Sequence, residues 1–319
     1  MEALTRMLDY PSIVATSQHV AWTVDDVFRD RRFDPSKPIV PAPWVGAEAL
    51  DFLDDAQQLA LNHCRAFSYV HLLGNFEEFV PVHLTRTVEH DWHGDRAHLR
   101  ALFRFGEEEM KHQELFLRAE TDLEHACGHP FGRYFDAGKT RVRELTGAIL
   151  ARPPLARFLM VLALELGTQR HYVASVRDHA GAGADRLYVG LLKAHWIEEA
   201  QHVKSDLLEI EHLADDMGPE ELCTTFDHVA AIGALVDAAF IGQADEEIET
   251  LQRVTRRTLS GAQVIALRDT LHRSLRNIMA GLGLTHPTFT TVALALSKEG
   301  ASTLGIVSHA KGEEPCRSA

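Results

Sequence analysis

Three times along the chain a glutamate precedes a histidine by three positions: Glu109/His112, Glu199/His202 and Glu209/His212. On an α-helix this spacing sets the two side chains about 60° apart on one face, so a carboxylate oxygen and an imidazole nitrogen can reach one point. Carboxylate and imidazole are donors for divalent first-row metals, and the chain is rich in the commoner ligand, with 19 histidines. A lone pair of this kind arises by chance in such a composition. The order of the pairs along the chain is what carries information.

A carboxylate-bridged pair of metal ions inside a helical bundle needs one Glu from each of two helices and Glu-x-x-His from each of two others. The chain offers that order: an acid-bearing apolar stretch, Glu109-Met110-Lys111-His112, a second acid-bearing apolar stretch, then Glu199-Ala200-Gln201-His202. In the second stretch Glu165 is the only charge within Phe158 to Gly167. An unpaired carboxylate buried there costs several kcal/mol, so it must be protonated, paired or on a metal. In the first stretch Glu77 shares a helical face with Val70, Leu73, Gly74, Val80 and Leu84, whereas Glu78 shares one with His71, Asn75 and Thr85. Glu77 is therefore the inward acid. Pro81 removes the hydrogen bond to its carbonyl and predicts a kink there.

The last ligand segment carries an additional histidine. His195, Glu199 and His202 stand at i, i+4 and i+7, a single stripe flanked by Leu191, Leu192, Val203 and Ile210. Glu198 falls nearer the edge and reads as solvated or ion-paired, as do Glu107, Glu108 and Glu114 around the first pair. Glu209/His212 lies about 15 Å along the helix from the Glu199/His202 pair and reads as a decoy. Asp206 and Gln169 are candidates to hold the outer nitrogen of a ligand histidine. His171-Tyr172 reads either as the wall of a substrate channel or as a helix-end contact.

The elements that must position these residues are helices. From about Gly46 onward apolar residues recur at three and four, which predicts helices over 47–73 continuing through 88, 95–126, 154–179, 185–215, 219–255, 261–281 and 288–297. Gly128-His129-Pro130, Pro153-Pro154, Gly181-Ala182-Gly183 and Gly218-Pro219 punctuate them. The proline-rich segment Asp34 to Trp44 cannot be regular helix, and residues 1–45 read as an extended arm packed over the domain. Residues 46–308 read as one all-α domain, a four-helix bundle with additional C-terminal helices, and 309–319 as a disordered tail.

With these residues in view the chain resembles the ferritin-like di-iron oxygenases of the p-aminobenzoate N-oxygenase type. The resemblance covers about residues 30–215 and rests on Glu77, Glu109-x-x-His112, Glu165 and above all His195-x-x-x-Glu199-x-x-His202. Leu61-Asn62-His63-Cys64-Arg65 and Thr168-Gln169-Arg170-His171-Tyr172 are also similar to that family. The resemblance implies that Glu77, Glu109, His112, Glu165, His195, Glu199 and His202 hold two iron ions. It also implies that these ions, fed by an external electron donor, activate O2 to oxidise a small organic substrate by N-oxygenation or hydroxylation. The same oxygen and nitrogen donors suit manganese. A ferroxidase without organic substrate and a non-catalytic helical scaffold remain the alternatives.

Composition narrows the partners. A net charge of −14 argues against nucleic acid, whose phosphates call for clustered Lys and Arg. No apolar run reaches membrane-spanning length, and Met1-Glu2-Ala3-Leu4 does not begin a signal peptide, so the expectation is a cytoplasmic protein with no membrane partner. Cys64, Cys127, Cys223 and Cys316 have no CxxC spacing and predict neither a disulfide framework nor a zinc ribbon. The long helices after 215 are free to cover the bundle or to form a homodimer interface.

Overall fold

The computed structural model describes residues 2–48, 50–90, 94–177, 183–277 and 282–306. The described residues contain helices and no strand. The expected disordered tail at 309–319 lies outside them.

Four short helices come first: α1 (Glu2–Thr5), α2 (Tyr10–Val20), α3 (Val24–Phe28) and α4 (Ala42–Val45). This corrects the expectation of an extended arm over residues 1–45. The physical reason is local. Asp9 accepts a hydrogen bond from the Ser12 amide with Pro11 in the first turn of α2, and Thr23 with Asp26 forms a capping box on α3. The segment does pack over the rest, since α2 lies on α7 and α11. Its proline-rich part is pinned by Asn62, whose side chain bonds the backbone of Ile39 and Val40.

Next come α5 (Asp55–Glu77), α6 (Phe79–His90), α7 (Arg96–Cys127), α8 (Phe131–Tyr134) and α9 (Asp136–Leu150). Then follow α10 (Pro154–Tyr172), which ends in a π-helical turn (Val173–Arg177), and α11 (Arg186–Asp215). After these stand α12 (Pro219–Thr255), α13 (Gly261–Leu275), α14 (Leu282–Leu284), α15 (Pro287–Leu296) and α16 (Lys298–Thr303). Asp54 caps α5, Asp95 α7, Asp185 α11 and Ser260 α13. Gly128 closes α7 at φ +70°, the left-handed conformation that glycine adopts without a Cβ penalty. The continuous helix expected through 88 is instead divided at Glu78. Pro81 leaves the Glu77 carbonyl without its helical donor, and Gln113 Nε2 supplies one from α7 at 3.4 Å. Helix α9 was not expected. Gly138 and Gly147 thin its apolar stripe, which hides the helical period.

Helices α5, α7, α10 and α11 pack around the chemistry-bearing residues, with α10 against α11 and α5 against α7. Helix α12 lies along α5, α9 and α10, and α13 and α16 pack on it in turn. By length and composition α12 is apolar enough to cross a membrane, yet Phe226, Val229, Ile232, Phe240 and Ile248 join the core. Arg65 of α5 is fully buried and paired with Glu247 of α12 at 3.1 Å, which ties this outer layer to the inner helices. Helix α14 touches the backbone of α10 just before Glu165: a Cβ on Gly283 would stand 1.8 Å from the Ala163 carbonyl oxygen.

Candidate metal centre

Seven side chains from four helices meet in the interior. Glu77 is the last residue of α5, Glu109 and His112 stand mid-way along α7, Glu165 lies on α10, and His195, Glu199 and His202 line α11. Glu109, His112, Glu165, His195, Glu199 and His202 are buried, and the Glu77 side chain is 13% exposed. Glu78, its neighbour, points to solvent, so the inward acid is the one the helical wheel selects.

The donor atoms form two overlapping groups. In one, single ligand atoms of Glu77, His112, His195 and Glu199 lie within 4.8 Å of one another; in the other, those of Glu109, His112, Glu199 and His202 do. His195 Nε2 is 3.0 Å from Glu77 Oε1 and 2.9 Å from Glu199 Oε1. His112 Nδ1 is 3.1 Å from Glu199 Oε1, and His202 Nδ1 is 2.9 Å from Glu109 Oε1. Glu165 Oε1 approaches His202 Nδ1 at 3.7 Å and so belongs to the second group's side. Glu199 joins both groups, with one oxygen toward His112 and His195 and the other 3.5 Å from His202.

Two histidines are held from behind by crossed carboxylates. His112 Nε2 lies 3.0 Å from Glu198 of α11, and His202 Nε2 lies 3.3 Å from Glu108 of α7. Each glutamate is itself held by a cation: Lys111 Nζ sits 2.5 Å from Glu198, and Arg104 sits 3.0 Å from Glu108, which also accepts from Ser17 at 2.6 Å. A carboxylate accepting from Nε2–H leaves the Nδ1 lone pair aimed at the centre, the outer arrangement that metal-ligating histidines use. Both glutamates are ion-paired, one of the two roles expected from sequence, but neither is solvated; both are at most 1% exposed. The signal was present in the doubling of both motifs to Glu-Glu-x-x-His, at Glu108-Glu109 and Glu198-Glu199.

The remaining expectations divide. Glu107 and Glu114 are exposed, as read from sequence. Asp206 does not serve His202, whose outer nitrogen belongs to Glu108; it is fully buried with both oxygens unpartnered. Gln169 donates to the Glu199 carbonyl at 3.2 Å rather than to a histidine. His212 is exposed and takes no part, but Glu209 is buried, accepts from the Tyr10 hydroxyl and lies 2.7 Å from His98 Nε2. His171 is an internal contact: Nδ1 meets the Tyr69 hydroxyl at 2.7 Å and the ring packs 4.0 Å from Trp44.

Electrostatics show the crowding of acids. Burial and the neighbouring Glu109 push the Glu77 carboxyl well above the usual range. Burial opposes charge on His112 and His202, yet Glu109, Glu198 and Glu199 around the first and Glu199, Glu108 and Glu109 around the second raise both well above an ordinary histidine. His195, desolvated and facing His112, is driven well below it. Several inward atoms have no hydrogen-bond partner: Glu77 Oε2, both Glu109 oxygens, Glu199 Oε1 and the Nδ1 of His112 and His202. Lone pairs that face one another at about 3 Å in a dry interior are mutually repulsive unless protons or metal cations stand among them. The donor set, oxygen-rich with three imidazoles, fits two divalent first-row ions. Aromatic rings close the flanks, with Phe105 stacked 4.0 Å from His202, Phe116 5.2 Å from His195 and Trp22 parallel to His112 at 6.0 Å. No family profile, characterised protein or solved structure matches this chain.

Proposed function

We propose that the chain is a ferritin-like di-iron oxygenase, in which α5, α7, α10 and α11 form the four-helix bundle and the later helices cover it. The observation that carries the reading is the pair of Glu-Glu-x-x-His motifs whose outer nitrogens are bonded across to each other's first glutamate, leaving inward donors unpartnered. Glu77, His112, His195 and Glu199 would hold one ion, and Glu109, Glu165, Glu199 and His202 the other. Bound iron, or manganese in either position, supplies the electrons that activate O2 and lets the protein oxidise a small organic substrate at nitrogen or carbon.

The chain's own residues do the rest. Glu108 and Glu198 fix the tautomers of His202 and His112. His195 makes one position richer in nitrogen than the other. Phe105, Phe116 and the apolar stretch around Glu165 exclude water, which strengthens every charge interaction inside. An external electron donor restores the reduced ions. The reading goes with an intracellular protein without nucleic-acid or membrane partners.

The deciding experiment is metal analysis of protein from iron-replete cells, followed by anaerobic reduction and measurement of O2 uptake. About two metal ions per chain, with O2 consumed by the reduced protein only, is the expected result. Protein free of metal would end the proposal. Uptake that oxidises iron but never an added arylamine or hydrocarbon would point to a ferroxidase.

A further inference from the structure

One line of buried ionisable groups has no part in holding metal. On the inner stripe of α11, His195, Glu199 and His202 are followed by Asp206 and Glu209, the alternating four- and three-residue spacing that keeps side chains on one face. All five are at most 3% exposed. Asp206 is enclosed completely, neither of its oxygens has a hydrogen-bond partner, and the charges it feels are those of His202, Glu109, Glu199 and Glu209. A carboxylate enclosed without a counter-ion or donor is costly, so Asp206 keeps its proton. One turn farther on, Glu209 Oε1 accepts from the Tyr10 hydroxyl at 2.8 Å and lies 2.7 Å from His98 Nε2. The His98 ring stands 4.8 Å from half-buried Tyr10 and 6.2 Å from exposed His212. The line thus runs from the seven-residue cluster to the surface beside α2.

We propose that Asp206, Glu209 and His98 form a proton path between the metal centre and the surface. The inference rests on the oxygen-activating reading, because reducing O2 consumes protons and, apart from the 13% exposed Glu77, the cluster's side chains are buried away from water. Each hop breaks one bond to hydrogen and forms another. Asp206 releases its proton toward the cluster and is reprotonated by the Glu209 carboxyl; Glu209 then takes the Nε2–H of His98 as the His98 ring accepts a proton at Nδ1 from the solvent side. Nothing is oxidised or reduced along the way. The Asp206 and Glu209 Cβ atoms, three residues apart on a helix, stand about 5–6 Å from each other, within the swing of a carboxyl about χ1. A residue placed to brace His202 would be bonded to it. Asp206 is bonded to nothing, so no hydrogen bond has to break for its carboxyl to turn.

The test needs neither metal nor substrate. Metal-free protein is transferred rapidly into D2O, and the carbonyl stretch of protonated carboxylic acids is followed by infrared spectroscopy. Asp206→Asn should delete one such band. In Glu209→Gln, which keeps the shape and an acceptor for Tyr10, deuterium should enter that band roughly a hundredfold more slowly, the low end of what a positioned proton carrier contributes. His98→Gln interrupts the path at a second point and should slow exchange as well. The path is overturned if Asp206→Asn removes no band, or if both interrupting variants exchange as fast as the native chain. Metal analysis separates the two readings. Loss of metal in Asp206→Asn alone would make Asp206 a ligand and overturn the relay, whereas metal missing from the native chain would end the di-iron reading and leave the exchange result to stand by itself.

Discussion

Glu198→Gln is the substitution whose consequence the geometry defines best. The native carboxylate accepts from His112 Nε2 at 3.0 Å and from Lys111 Nζ at 2.5 Å, and its side chain is fully buried. Glutamine keeps the volume and one acceptor oxygen but removes the charge. A hydrogen bond to a charged group contributes about 1.5–3 kcal/mol and a neutral one about 0.5–1.5 kcal/mol, so the hold on His112 weakens by about 1–1.5 kcal/mol. At 1.4 kcal/mol per decade this is about a tenfold loss of metal affinity, the lower edge of the range for residues behind a metal-ligating histidine. The assay is anaerobic competition between metal-free protein and a chromophoric chelator for Co(II) or Fe(II), with urea unfolding of the metal-free variant as a control for stability. Glu108→Gln should act likewise through His202, and Glu107→Gln, on the exposed side of the same turn, should change nothing beyond about 0.5 kcal/mol. If Glu198→Gln binds both equivalents as tightly as the native chain, the crossed carboxylates do not set the imidazoles and the fit to a metal centre loses its main support.

Glu77→Gln should release the ion beside His112 and His195 on dialysis while Glu78→Gln retains it, as read by metal content. Acid should weaken the fold through two buried neutral histidines, His83 and His171, each lowered from 6.5 to about 3 by burial. Their folded-state values lie below the unfolded one, so the stability they carry is complete above pH 6.5 and is lost as pH falls toward 3. At pH 5 each should cost about 2 kcal/mol in urea unfolding of metal-free protein, and His83→Leu should flatten that acid limb. Arg65→Met should destabilise by about 3–5 kcal/mol by stranding Glu247, and Arg65→Met with Glu247→Leu should recover most of it in a double-mutant cycle.

Much of the centre was legible in the chain itself. A carboxylate and an imidazole three residues apart on a helix must share a face whatever surrounds them, and a glutamate in the apolar run around Glu165 must point at something polar. The wheel around Glu77 and Glu78 worked for the same reason: the direction of a side chain about its own helix axis is a local property. The starts of α7, α11 and α13 fall within a residue of the expected 95, 185 and 261, whereas α5 begins at Asp55, behind its Asp54 cap, rather than at 47.

What neighbouring helices do to a flank is not local. Glu108 and Glu198 stand about 100° from the ligand glutamates beside them, which on a lone helix is a wet edge. Packing α7 against α11 turned each edge toward the other helix, so that Glu198 reached a histidine 86 residues away and Glu108 one 94 residues away. The same packing stripped Asp206 of any partner and buried Glu209 under Tyr10, a residue of the segment read from sequence as an extended arm. Period and capping, set within a few residues, determined which side chains share a face on each helix. Only the tertiary structure decided which faces meet, because that depends on contacts between residues far apart in the chain.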